Sequence, residues 1–112
     1  MVSLAQMNCE APQRGGPSLG DQEITELHPQ VSDWQIAEHD GVKRLVRVYK
    51  FKNFVEALAF TNQVGELAEE QDHHPALLTE WGKVTVTWWT HAVEGLHRND
   101  FIMAAKTDAL YE

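Results

Sequence analysis

Two adjacent imidazoles before a proline, in Asp72-His73-His74-Pro75, and a third in Thr90-His91, are the side chains whose type and spacing fit proton transfer near neutral pH. In an extended segment His73 and His74 diverge to opposite sides, a poor arrangement for two ligands on one metal ion. With no cysteine and no further histidine at ligand spacing, zinc is not expected. Glu69, Asp72 and Asp100 stand near enough in sequence to orient imidazoles, which gives a general acid, a general base and their supports. No serine or cysteine has a nucleophile-elbow or triad context, so acid-base chemistry without a covalent intermediate is the natural class. For His73-His74 alone, two surface histidines leading into a turn would explain the pair equally well; His91 shifts the balance toward a site. His28, His39 and His97 read as solvated structural histidines at turns, a strand end and a loop.

Regular elements must bring these groups to one edge. Ser18 or Asp21 is placed to cap a short helix through Gln22–Leu27, stopped by Pro29. The segments 34–39 and 42–51 are strand-like and flank Asp40-Gly41, a strong hairpin signal because both central turn residues need positive φ. Asn53 opens a helix with Glu56 in a capping box, and Phe54, Ala57, Leu58, Thr61, Val64, Leu67 and Ala68 form its stripe, with Phe60 off it. Segments 76–81 and 84–90 make a second hairpin around Gly82-Lys83, with Val84, Val86 and Trp88 on one face and Thr85, Thr87 and Trp89 on the other. Asn99 or Asp100 is placed to cap a last helix, about Phe101 to Leu110, packing through Phe101, Ala104, Ala105 and Ala109.

The order helix, hairpin, helix, hairpin, helix predicts an α+β fold: a single four-stranded antiparallel sheet with helices packed on one face. In that sheet the loop carrying His73 or His74 and the end of the strand before His91 share an edge, so the imidazoles line one cleft. Trp88 and Trp89 read as core or interface, whereas Trp34 and Trp81 are candidates for the flat wall of a ring-binding pocket.

The 112 residues, 43% of them apolar, suffice for one domain with a real core. Residues 1–20 hold Pro12, Gly15, Gly16, Pro17 and Gly20 with little apolar periodicity and read as a flexible tail, leaving 21–112 as the domain. A net charge of −8 argues against a nucleic-acid partner, whose backbone demands clustered cations. Lys43, Arg44, Arg47, Lys50 and Lys52 do gather, either as a solvated strand face or as a local anion site on an acidic protein. The lone Cys9 precludes an intramolecular disulfide and fits a reducing compartment. No secretory start and no run near the roughly 18 apolar residues of a membrane helix are visible, so no membrane partner and a cytoplasmic location are expected. An open sheet edge or aromatic face makes self-association expected, as a homodimer or homotetramer.

Taken together, Glu69, His73-His74-Pro75, Trp81, Thr90-His91, Gly95-Leu96 and Asp100 resemble the signature of the pterin-4a-carbinolamine dehydratases. The likeness extends back through Trp34, Phe51-Lys52-Asn53-Phe54 and Ala57 to Asn62, and covers about residues 21–110. Two positions depart from the pattern: His97 stands where many members have Thr or Ser, and Ala76 where an acidic residue often follows the proline.

The resemblance implies dehydration of 4a-hydroxytetrahydropterin to quinonoid dihydropterin, recycling the cofactor of phenylalanine hydroxylase, with no metal or organic cofactor. By the same resemblance His73, His74 and His91 are the active-site histidines; we expect His73 to be the general acid, His91 its acid-base complement on the opposite ring face, and His74 to position the pterin. Glu69 orients a histidine, Asp72, Pro75, Thr90 and Asp100 hold the loop and the start of the last helix, and Trp34 and Trp81 border the pterin. The competing readings are a module that binds pterin without turnover and one that mediates dimerisation or interaction with a hydroxylase or transcription factor.

Overall fold

The computed structural model describes residues 3–111. Helices α1 (Asp21–Leu27), α2 (Phe54–Gln71) and α3 (Arg98–Leu110) alternate with strands β1 (Gln35–His39), β2 (Val42–Lys50), β3 (Ala76–Glu80) and β4 (Lys83–Trp88). The strands form one antiparallel sheet in the order β1-β2-β4-β3, so the two hairpins meet along β2 and β4. This is the α+β arrangement expected from the order of elements.

Alternation decides which face is buried. Val84, Val86 and Trp88 of β4, with Leu45 and Tyr49 of β2, join the core under α2 and α3. Thr85, Thr87 and Trp89 stay half-buried on the other face. Asp40 and Gly41 both have positive φ, at 52° and 79°, as a tight hairpin between right-twisted strands requires. The second hairpin differs from expectation: Glu80 pairs with Lys83, so its loop is Trp81-Gly82, and Gly82 takes the positive φ of 80°.

Two caps also shift. Asn53 accepts from the Glu56 amide at 2.9 Å, but the Glu56 carboxylate reaches the Lys52 N–H rather than that of Asn53. Helix α1 begins after Gly20, whose N–H donates to Glu23, so neither Ser18 nor Asp21 is its cap. Pro29 follows in a short 3-10 turn, His28–Val31.

Phe60, expected off the stripe of α2, is a core residue with Ala57, Val64 and Ala68, while Phe54 and Leu58 are exposed. The reason is aromatic packing. Tyr49, Phe51 and Tyr111 surround the Phe60 ring at centroid distances of 4.7, 5.1 and 5.9 Å, which rotates the buried face by one position.

Residues 3–20 do not stand apart from the core. Leu4 is only 3% exposed, and the Ala5 carbonyl accepts from the Lys106 ammonium of α3. The backbone N–H and carbonyl of Glu10 are both read by the buried Asn99 side chain, at 3.0 and 2.6 Å. Farther on, Gly15 and Leu19 donate to the carbonyls of Ala92 and Leu96, both at 2.8 Å. This strap covers α3, which is why Ile102 and Met103 are buried there in addition to Phe101 and Ala104, and why the packing face does not extend to the exposed Ala109.

Candidate active site

Helix α2 ends at Asp72, whose left-handed backbone (φ 51°, ψ 45°) lets its N–H bond back to the Ala68 and Glu69 carbonyls. Aspartate tolerates that region better than most residues. The reversal turns His73 inward and His74 outward. His73 is 8% exposed and stacks parallel to Trp88, with centroids 5.7 Å apart and 8° between planes. His74 stays half in solvent, and its Nε2 lies 2.5 Å from Oε2 of Glu69, five residues back on α2. Pro75 disfavours helical backbone at His74 and leads the chain straight into β3.

Asp100 comes from the first turn of α3. His97, the position that departs from the family pattern, is the N-cap, contrary to the expectation that Asn99 or Asp100 caps this helix. Its Nδ1 accepts from the Asn99 N–H at 3.0 Å, and Asp100 Oδ2 accepts from the His97 N–H at 2.9 Å. Asp100 is fully buried and takes two further donors: the Thr90 hydroxyl at 2.8 Å and His73 Nε2 at 2.7 Å. A buried carboxylate persists only when its oxygens are filled in this way. Because Nε2 faces a carboxylate it carries the proton, which leaves Nδ1 of His73 as the basic nitrogen.

Thr90 leaves β4 and closes a small loop with Gly95, donating to its carbonyl at 2.9 Å and accepting in return at 3.4 Å. His91 opens that loop, exposed, with its ring edge-on to Trp89 at 4.9 Å. Gly95 is required by close approach: a Cβ there would meet Cβ of Ser18 in the strap at 2.9 Å.

The residues singled out by sequence therefore divide. His73, Thr90 and Asp100 form one buried cluster, flanked by His74 with Glu69 and by His91. Trp34 belongs elsewhere: it is 1% exposed, packs edge-on to Tyr49, and donates its indole N–H to Asp108, so it offers no wall to a ligand. Trp81 is 74% exposed in the β3–β4 loop, about 17 Å along β4 from the His91 end at a strand's rise per residue, and is likewise no wall of this site.

A cavity of about 750 Å³ opens beside His91, lined also by Arg14, Arg44, Trp89 and Glu94; His73 and His74 are not in its lining. The sequence pointed to Arg44 only through its basic run and gave no sign of Arg14. Among the described residues no group of three His, Cys, Asp or Glu side chains is placed to hold a metal ion. No helix among them is long and apolar enough to cross a membrane.

Known proteins resemble the chain in sequence and in fold. Residues 17–110 match the family described as Pterin 4 alpha carbinolamine dehydratase. A Nitrosococcus oceani protein named "Putative pterin-4-alpha-carbinolamine dehydratase" is 63% identical over 98% of this chain and 97% of its own. A Brucella melitensis structure described as a transcriptional coactivator/pterin dehydratase is 34% identical, with a TM-score of 0.76 over 85% of this chain and 99% of that one. A pterin dehydratase-like protein described as a RuBisCO assembly factor in the alpha-carboxysome shares the fold, with 22% identity and a TM-score of 0.59 over 70% of this chain and 88% of that one. By sequence over most of its length and by architecture, the chain belongs to the pterin 4 alpha carbinolamine dehydratase family.

Proposed function

We propose that this chain dehydrates 4a-hydroxytetrahydropterin to quinonoid dihydropterin by histidine acid-base catalysis. One observation carries the reading: Asp100 binds both His73 and Thr90, so the residue before His74 and the residue before His91 hang on the same carboxylate. Three imidazoles are thereby tied to one end of the sheet from two separate elements. The reaction needs a proton delivered to the 4a-hydroxyl as the C–O bond breaks, and a proton withdrawn from a ring nitrogen as the C=N bond forms. Water leaves, and no redox step occurs.

His73 serves as the general acid, delivering a proton taken up at Nδ1, which has no partner among the described residues, while Asp100 fixes the ring through Nε2. His91, exposed on its own loop, takes the complementary role on the other face of the pterin. His74, oriented by Glu69, positions the ligand. Asp72 and Pro75 hold the turn that separates the two neighbouring rings. Phenylalanine hydroxylase is the enzyme whose cofactor this recycling serves, in the cytoplasm, and the chain works as a homodimer or homotetramer.

A second reading, an interaction module, is favoured by one feature: Phe54, Val55 and Leu58 lie exposed together at the start of α2. A relative described as an assembly factor on this fold is in keeping with it. The test follows the absorbance of enzymatically generated 4a-hydroxytetrahydropterin with and without the protein. Faster first-order decay is expected. Unchanged decay with pterin bound leaves a binding protein, and unchanged decay without binding leaves the module.

A further inference from the structure

The cavity beside His91 contains charged groups that the dehydration does not use. On the open face of β2 the Arg44 guanidinium lies over the Trp89 ring, 4.1 Å from its centroid. Its Nε is buried without a hydrogen-bond partner among the described residues, and the indole face holds the head group in place. Arg14 reaches the same cavity on the strap, where the Gly15 N–H bonds to the carbonyl of Ala92, the residue after His91. Neither arginine forms an ion pair with any carboxylate among the described residues. The contrast lies within one strand: Lys43 is paired with Asp21, and Arg47 with Asp108 and Asp33.

On a chain of net charge −8, two unpaired guanidiniums at one opening are a local reversal of sign. Glu94 is the one carboxylate among the described residues of the lining, so the balance there stays positive. Guanidinium is also the side-chain group best matched to the paired oxygens of a phosphate or carboxylate. The volume of about 750 Å³ exceeds what a side-chain head group fills and suits an organic ligand.

We infer that this cavity is an anion subsite, which receives a phosphate or carboxylate borne by the substituent of the pterin handled at His91. The inference rests on the dehydratase reading and extends its substrate class to pterins with an anionic side chain. Arg44 and Arg14 bind the anion, Trp89 holds Arg44 in stacking geometry, and Glu94 limits the affinity.

Binding to the full chain is measured by tryptophan fluorescence for neopterin against neopterin monophosphate, and for pterin against 6-carboxypterin. In at least one pair the anionic member binds about tenfold more tightly at low salt, as one added charge-assisted hydrogen bond gives. Whichever pair shows the advantage identifies phosphate or carboxylate as the group recognised. That ratio falls toward one in Arg44→Gln, falls in part in Arg14→Gln, and rises in Glu94→Gln. Because Arg14 and Glu94 are exposed, the test survives an Arg44 variant that fails to fold. Equal affinities within both pairs overturn the subsite and leave the dehydratase reading intact, and so does an advantage untouched in all three variants. A chain that binds none of the four pterins overturns both.

Discussion

Asp100 Oδ1 lies 2.7 Å from Nε2 of His73, and the carboxylate has no solvent exposure. The pair joins the start of α3 to the end of α2 beneath the proposed site. Its second oxygen holds Thr90 and the His97 N–H, so a single side chain sets the positions of two histidine-bearing segments.

Asp100→Asn tests that arrangement. The amide keeps the shape and its oxygen can stay with the Thr90 hydroxyl and the His97 N–H, but its NH2 group then faces His73 Nε2, which must accept, so the charge is lost and the ring takes the other tautomer. Stability falls by about 2–4 kcal/mol, read from urea unfolding. The variant that remains folded loses on the order of 10²-fold in kcat, with a change in KM of less than about threefold, since His73 loses the tautomer that leaves Nδ1 free and not its neighbours. A kcat within twofold of the parent would remove Asp100 from the mechanism.

The histidines themselves separate by kinetics. His73→Ala and His91→Ala each lower kcat by about 10²-fold or more. His74→Ala acts mainly on KM, because that ring is half in solvent and, among the described residues, tied only to Glu69. A kcat within twofold of the parent in either His73→Ala or His91→Ala would contradict the assignment of acid and base.

Much of this was legible from local pattern. Asp40-Gly41 gave the first hairpin, and the alternation of Val84, Val86 and Trp88 gave the buried face, because both signals depend on neighbours in sequence. His73, Thr90 and Asp100 were singled out, but that one carboxylate binds the other two is a tertiary fact that spacing does not contain. Trp34 and Trp81 are hard to place from sequence for a related reason: an aromatic ring suits a pocket wall and a core equally, and only the register of β4 and the Asp108 contact decide. Residues 3–20 lack periodicity, and their anchors are side chains such as Asn99, far away in the chain.

That strap stabilises the domain in a measurable way. Leu4 is a buried side chain in the cluster that includes Ile102 and Met103, so Leu4→Ala costs about 2–4 kcal/mol. Asn99→Ala leaves both backbone groups of Glu10 without their partner and costs about 2 kcal/mol. Both are read as shifts of the urea midpoint at constant slope. A Leu4→Ala midpoint equal to the parent's would show that the strap adds nothing to the fold.

Cys9 reports on the same strap through its thiol. Half-burial first, then the nearby Asp100 charge, push its pKa from 9.0 up to about 11, against a smaller opposing pull from Lys106. The group is neutral when protonated, so a raised folded value means that the native state holds its proton after the unfolded chain has released it. The resulting stability is fully present below pH 9 and is lost as pH rises toward 11. Near pH 8 the thiolate fraction is on the order of 10⁻³, and an aromatic disulfide reagent reacts correspondingly slowly with the folded protein. Asn99→Ala loosens the segment that carries Cys9 and speeds that reaction at pH 8, while mild denaturant speeds it in the parent. Rates equal to those of an unfolded thiol in the native parent would mean that the strap does not cover Cys9 in solution.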